Sequence, residues 1–224
     1  MFENLFFFIK GCIEDVFNSL EVSIKLSTYN EINIEVLQKK DLFKVCKFLK
    51  ESRNLYFLQL IDLCGVDYLH YKLDDSILDG IVDEQFFFDR FLKKNIDGNF
   101  PIARFAVIYH LLSLTLNCRI RVRVFVDNID PSLCSVSLIW SVAEWYEREV
   151  FDLFGIEFLG HKNLCRILTD YGFRDFPLRK DFSLVGRSVV YYSEFENRIS
   201  YKKNDVELRR LIPKVVRLGS RLNR

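Results

Sequence analysis

Arg104-Phe105-Ala106-Val107-Ile108-Tyr109-His110-Leu111-Leu112-Ser113, and then Arg119-Ile120-Arg121-Val122-Arg123-Val124-Phe125-Val126, read as two strands paired through a turn near Asn117. The second run alternates. Successive side chains of a strand point to opposite faces, so Arg119, Arg121 and Arg123 share one face and Ile120, Val122, Val124 and Val126 the other. The β-branched face belongs to a core. The arginine face reads as solvated, with contact to a partner as the other reading.

Upstream, residues from about Leu5 to Leu20 carry a helical apolar face. Val22–Ser27 and Ile32–Leu37 read as short strands about a turn at Tyr29-Asn30-Glu31. Asp41 is placed to cap a helix whose Leu42, Val45, Cys46 and Leu49 recur at helical spacing. Leu55 to Leu63 reads as a buried strand closed by Gly65. Downstream, Ser141-Val142-Ala143-Glu144 fits a capping box, in which hydroxyl and carboxylate satisfy exposed amides. Gly155 suits the left-handed position after the last turn, so the helix runs from about Val142 to Phe154.

The fold class is therefore α+β. Residues 1–154 form a two-layer domain with a mixed sheet packed by helices, interrupted by an insertion at about 69–103. From Gly155 the periodicity is lost, and residues 155–224 read as an extended C-terminal arm with a basic tail at 198–224.

Half of the 224 residues are apolar and Phe occurs 22 times, which excludes a disordered chain. The net charge of +1 does not point to nucleic acid. Acidic residues cluster between Asp74 and Asp89, and cations between Arg198 and Arg224; both read first as solvated faces. The six cysteines, Cys12, Cys46, Cys64, Cys118, Cys134 and Cys165, form no C-x-x-C pair of the kind that zinc and iron–sulfur sites use. They read as free thiols of a reducing compartment. No apolar run reaches the length of a membrane span, and the first ten residues resemble neither a transit peptide nor a signal peptide. Three alanines, four prolines and nine glycines among abundant Phe, Leu, Ile, Lys and Asn suggest an AT-rich genome, with a mitochondrial one as the working hypothesis.

On the helix, Glu144, Arg148 and Asp152 fall at steps of four and form a charged stripe, while Val142, Tyr146, Val150 and Leu153 form an apolar one. Enclosure of such a helix buries charges, which then need partners. Glu147, Glu149 and Asp152 diverge around the axis and do not converge on an ion. His161 stands alone, and no nucleophile–base set or phosphate-binding glycine loop is present.

The block Glu147-Arg148-Glu149-Val150-Phe151-Asp152-Leu153-Phe154-Gly155-Ile156, then His161, then Arg166-Ile167-Leu168-Thr169-Asp170-Tyr171-Gly172-Phe173, then Pro177-Leu178-Arg179-Lys180-Asp181-Phe182, closely resembles the signature of the NuoC-type ("thirty-kilodalton") subunit of respiratory complex I. Ile61-Asp62-Leu63-Cys64-Gly65-Val66-Asp67-Tyr68 and the strand pair at 104–122 resemble upstream blocks of the same family. Cys165 stands where the family usually has the first of two arginines. Asp175, Phe176, Ser183 and Arg187 also depart from its pattern, and the match fades after Tyr192.

The resemblance implies a non-catalytic core scaffold of the hydrophilic, quinone-side arm of NADH:ubiquinone oxidoreductase. Such a subunit binds no cofactor: FMN, iron–sulfur clusters and ubiquinone belong to partner subunits. It packs against the NuoD-type subunit, peripheral to the inner mitochondrial membrane on its matrix side if the chain is organellar. It also implies that Glu147, Arg148, Asp152, Arg166, Asp170, Arg179 and Asp181 hold the arm and its partner by charge-assisted hydrogen bonds, an intrachain role standing equally open. Gly155, Gly172 and Pro177 would shape the backbone. Glu149 and His161 complete the signature. Two other readings remain: a NuoC-like subunit of a membrane-bound hydrogenase, and an RNA-binding organellar ribosomal protein carried by the arginine strand and basic tail.

Overall fold

The computed structural model describes residues 2–16, 22–26, 31–69, 104–183, 186 and 188–204. The acidic stretch and nearly all of the expected insertion at 69–103 lie outside the described residues, as does the tail beyond Asn204.

The described residues form two compact units, 1–182 and 183–224. In the first, a five-stranded mixed sheet has the order β1 (Val22–Leu26), β2 (Ile32–Val36), β5 (Cys118–Val126), β4 (Phe105–Ser113), β3 (Gln59–Asp67). β2 runs parallel to β5, and the other neighbours are antiparallel. One face is the core. Ile32, Ile34, Val36, Val107, Tyr109, Leu111, Ile120, Val122 and Val124 are buried there, as the period of two requires. The same core takes Ile9 and Ile13 from α1 (Phe2–Val16), Leu42, Val45, Cys46 and Leu49 from α2 (Leu42–Glu51), and Ala143, Val150 and Phe154 from α3 (Ala143–Phe154). A short parallel pair, β6 (Ser132–Cys134) with β7 (Glu157–Leu159), flanks α3 in sequence.

The arginine face is not simply solvated. Arg121 pairs with Glu31 at 2.9 Å, and Arg123 pairs with the buried Glu35. The cause is the parallel register, which sets Glu35 beside Arg123 on the same face. Two of the three arginines are thereby engaged internally, which removes the main carrier of the RNA-binding reading.

Four local expectations need correction. The strand expected over Leu55–Leu63 begins only at Gln59, because Leu55 and Tyr56 turn back onto Ser52, with Tyr56 at φ 46°. Gly65 therefore lies inside β3, where an added Cβ would stand 2.7 Å from the Phe154 ring. Asp41 ends a 3₁₀ turn and makes no side-chain cap to α2. Ser141 forms no capping box: the backbone bonds Ala143 N–H to Trp140 O and Glu144 N–H to Ser141 O close the first turn instead, and Val142 stands at the N-cap. The expected boundary after Phe154 and the observed one after Phe182 differ, because residues 155–182 are tied to α3 and the sheet by the contacts described below.

The second unit contains a hairpin, β8 (Ser188–Ser193) with β9 (Arg198–Lys203), so the expected arm is not extended throughout. Its turn, at 194–197, ends on Asn197 at φ 50°. Val190 pairs with Tyr201 and Tyr192 with Ile199, which places four exposed apolar or aromatic side chains on one face.

Candidate functional site

The last four carbonyls of a helix have no partner within it. On α3 every one is satisfied, and three of the donors come from the segment that follows. Phe151 O accepts from Gly155 N–H at 2.9 Å, Asp152 O from Arg166 Nη1 at 3.2 Å, Leu153 O from Leu178 N–H at 3.1 Å, and Phe154 O from Arg179 Nε at 2.5 Å. The helix has no basic residue in its last turn; Arg166 and Arg179 bring positive charge to that end from outside. Gly155 takes the left-handed conformation at φ 74°, and a Cβ there would meet Arg179 Nη2 at 2.5 Å and Phe176 at 2.6 Å. No larger residue fits.

The charged stripe of α3 is a rail for this segment. At its first rung, His161 Nε2–H donates to Glu144 O at 3.0 Å while Nδ1 accepts from Asn163 N–H at 3.1 Å, which fixes the tautomer of the ring. One turn on, Arg148 donates through Nε to Cys165 O at 3.1 Å, with Nη2 2.8 Å from Cys165 Sγ. At the third rung the fully buried Asp152 carboxylate accepts the amides of Ile167, Leu168 and Thr169 at 3.1, 2.7 and 2.9 Å, the Thr169 hydroxyl, and Arg166 Nη1 at 2.8 Å. Burial alone pushes this carboxyl up, but the hydroxyl, the amides and Arg166 outweigh it and hold it well below its ordinary value of 3.8. Arg166 lies against the rings of Phe173 and Phe176, and Arg179 sits 4.2 Å over Phe176.

A second clasp joins the segment to the sheet. Asp67 at the end of β3 and Arg104 just before β4 are buried and bound two-fold, Nε to Oδ1 at 2.9 Å and Nη2 to Oδ2 at 2.6 Å. Arg104 also holds both oxygens of the exposed Asp181, at 2.8 and 3.2 Å. The amides of Lys180 and Leu69 complete the shell of Asp67, at 2.8 and 3.0 Å. Burial raises the Asp67 carboxyl, yet Arg104 and the two amides bring it below its ordinary range. Asp181 is lowered chiefly by Arg104. Neither Asp67 nor Arg104 stood out as a site residue in the sequence. The available signal was pairing: once β3 lies antiparallel to β4, with Asp67 opposite Phe105, the two groups become neighbours across 36 intervening residues.

Glu147 differs from both clasps. It is fully buried on the core-facing side of α3, where its carboxylate takes Ser135 Oγ at 2.6 Å and Val136 N–H at 2.7 Å. Burial raises its carboxyl above the ordinary 4.5, and the two hydrogen bonds offset this only in part. The face that packs on the core is thus Ala143, Glu147, Val150 and Phe154, with Tyr146 and Leu153 of the expected stripe half-buried against the same core and Val142 alone of that stripe exposed. Glu149 and Asp170 are exposed, and Pro177 is half-buried just before the Leu178 amide. Gly172 has neither a positive φ nor a close neighbour, and nothing in the structure requires glycine there.

These carboxylates and guanidinium groups are oriented toward backbone atoms and one another. Among the described residues no three His, Cys, Asp or Glu side chains gather as metal ligands, and no helix is long and apolar enough to cross a membrane. A cleft of about 330 Å³ on the second face of the sheet lies among Asp62, His110, Arg119, Arg121 and Glu31, with the charges of both signs offsetting.

A pH dependence follows from the signs. Asp152, Asp67 and Asp181 are lowered, so the stability they contribute is present above 3.8 and lost as pH falls through their folded values. Glu147 is raised, so its contribution is present below 4.5 and lost as pH rises through its folded value. Thermal midpoints measured from pH 7 to 2 are expected to drop steeply below 3.8, and Asp152→Asn to flatten that drop. An unchanged acid slope in the variant would remove Asp152 from the account.

The family described as "Respiratory-chain NADH dehydrogenase, 30 Kd subunit" matches residues 35–188. The C subunit of NADH-quinone oxidoreductase from Coxiella burnetii is 42% identical over 212 residues, covering 93% of this chain and 92% of that protein. The protein of the same description from Burkholderia mallei is 40% identical over 210 residues, with the same coverage, 93% and 92%. A chain of the archaeal membrane-bound sulfane sulfur reductase, a respiratory membrane complex, superposes with a TM-score of 0.54 at 20% identity over 80% of this chain and 85% of that one, a likeness of fold alone. With its signature helix, the segment clasped along it and matches of this length, the chain belongs to the family of respiratory-chain NADH dehydrogenase 30-kDa subunits.

Proposed function

We propose that this chain is a non-catalytic scaffold of the hydrophilic, quinone-side arm of NADH:ubiquinone oxidoreductase, docking on the NuoD-type subunit and holding no flavin, iron–sulfur cluster or quinone itself. The observation that carries this reading is the use of the signature charges. Asp152, Arg166, Asp67, Arg104 and Arg179 are bound to one another or to main-chain atoms in a rail and a clasp that hold residues 155–182 in one conformation. A rigid strap of this kind is what a docking element needs, since ordering done in advance is not lost on association. The hairpin face of Val190, Tyr192, Ile199 and Tyr201 supports docking too, because an isolated two-stranded hairpin is marginal in water.

Peripheral attachment to the membrane sector follows from the same reading. The finer location, the matrix side of the mitochondrial inner membrane, rests on the AT-rich composition. An AT-rich bacterial genome explains that bias equally, and the relatives compared are bacterial. The coding sequence and its genomic neighbours separate the two.

Gentle solubilisation of source membranes, native gel separation and mass spectrometry test the assignment: this chain should co-migrate with NADH dehydrogenase activity and the NuoD-type subunit. Co-migration with a hydrogenase or ribosomes would overturn it. Arg148→Ala removes the middle rung at Cys165 O, and charged hydrogen bonds of this kind are worth about 1.5–3 kcal/mol. The amount of assembled complex should fall several-fold, while the electron-transfer rate per assembled complex stays unchanged. Normal assembly with a slow rate would sink the scaffold reading.

A further inference from the structure

The two buried carboxyl groups of α3 sit in opposite surroundings. Asp152 receives three amides, a hydroxyl and the guanidinium of Arg166. Glu147 is buried as deeply but receives only the Ser135 hydroxyl at 2.6 Å and the Val136 amide at 2.7 Å. No cation forms an ion pair with it among the described residues. The groups that face it do not favour an anion. Cys46 of α2 and Tyr109 of β4 are fully buried acids, raised first by burial and further by nearby acids that include Glu147. The Tyr109 hydroxyl has no hydrogen-bond partner and gives Glu147 no third bond. Glu144 adds a like charge. His161 opposes it, but both ring nitrogens are already engaged, at Glu144 O and the Asn163 amide. Among the other acids on elements beside α3, Cys64 of β3 lies toward Asp62, Arg121 and Glu149, Cys134 of β6 toward Tyr109, and Glu157 of β7 is exposed. A buried carboxyl without a cation is carried most cheaply as the neutral acid.

A path for the proton is present. Ser135 Oγ lies 2.8 Å from Ser137 Oγ and accepts the Ser137 amide at 3.2 Å, and Ser137 is half-buried. Glu147, Ser135 and Ser137 thus form an unbroken chain of hydrogen bonds from the core toward the surface. A hydroxyl both donates and accepts, so the chain can run in either direction. We propose that Glu147 is a proton-binding site: it takes up a proton inside the folded chain and trades it with solvent through the hydroxyls of Ser135 and Ser137. In the ionised state Ser137 donates to Ser135 Oγ, and Ser135 donates to Glu147 Oε2. On uptake the Ser135 proton passes to Oε2, the Ser137 proton passes to Ser135 Oγ, and Ser137 takes one proton from a hydronium ion, leaving water. The bonds then point outward, Glu147 Oε2–H to Ser135 and Ser135 to Ser137. Every member stays bonded in both states, and no heavy atom has to move. The direction of the Glu147 carboxyl agrees, since burial raises it and the two hydrogen bonds offset this only in part. The site lies beneath the helix that carries the strap. Rising pH therefore weakens the seat of α3 at Ser135 and Val136, while falling pH strips the charge from Asp152 on the opposite flank.

Infrared difference spectra of the full chain, taken across a pH titration, test this. The carbonyl band of a protonated carboxyl should persist above 4.5, where ordinary glutamates lose it, and should be missing from Glu147→Gln. Glu147→Gln imitates the neutral acid, its amide donating to Ser135 and accepting from Val136. It should melt no lower than the wild type near neutral pH, and its midpoint should no longer fall as pH rises above 4.5. Ser137→Ala should keep the band but slow its exchange in deuterium oxide to the rate of local opening of the fold. A band that disappears with those of ordinary glutamates, or a Glu147→Gln chain that melts well below the wild type, overturns the proton site. Exchange as fast in Ser137→Ala as in the wild type overturns the path through the two serines.

Discussion

Asp152→Ala is expected to destabilise the chain by about 3–5 kcal/mol, the range for removing one partner of a buried charged pair. The substitution strands several groups at once. Arg166, with a side chain 14% exposed, loses its carboxylate, and three consecutive amides and the Thr169 hydroxyl lose their acceptor. Unpaired buried donors each carry a desolvation penalty. Whole domains are stable by only about 5–15 kcal/mol, so the loss is a large fraction of the total. Urea unfolding reads the magnitude, and trypsin reads the location: Lys162, Arg166 and Arg174 lie in the strap and should be cut much faster in the variant. Asp152→Asn keeps an acceptor without the charge and should fall between. A variant that unfolds and is cut like the wild type would mean that the strap is held by its aromatic packing and not by this carboxylate.

The second large effect is expected at Arg104. Arg104→Ala leaves Asp67, whose side chain is fully buried, with only the amides of Lys180 and Leu69. The loss is again about 3–5 kcal/mol. Arg104→Lys should recover only part of it, because an ammonium group does not reproduce the two-pronged contact with both Asp67 and Asp181. Pairing Arg104→Met with Asp67→Asn should cost less than Arg104→Ala alone, since no charge is then left buried without a partner. Equal losses in the single and double variants would show that the pair acts independently of its charge.

Much of the architecture was legible from residue pattern. Strand β5 announces itself through alternation, β4 as the apolar run that pairs with it, and α3 through its apolar spacing and terminal Gly155. The errors have specific causes. Leu55 and Phe57 are buried by a turn against α2 and not by a strand, so burial pattern alone misplaced the start of β3. The hairpin at 188–203 escaped notice because both its faces are exposed, and Val-Val-Tyr-Tyr shows no alternation to read. The capping box failed because backbone bonds closed the first turn of α3 before the Ser141 side chain was needed.

The sequence by itself determined the family, through the order and spacing of the signature, and the sheet, because a period of two is a property of the local chain. It also marked the stripe of Glu144, Arg148 and Asp152, since steps of four are fixed by helix geometry. It left open what that stripe meets. That Asp152 would collect three amides from residues 167–169, that Arg104 would reach Asp67 and Asp181 together, and that Glu147 would turn inward while Trp145 stayed outside all depend on residues far apart in the chain arriving side by side. Hydrogen bonds and burial act over a few ångströms in space, and only packing of the strap against α3 and the sheet brings those groups within that reach.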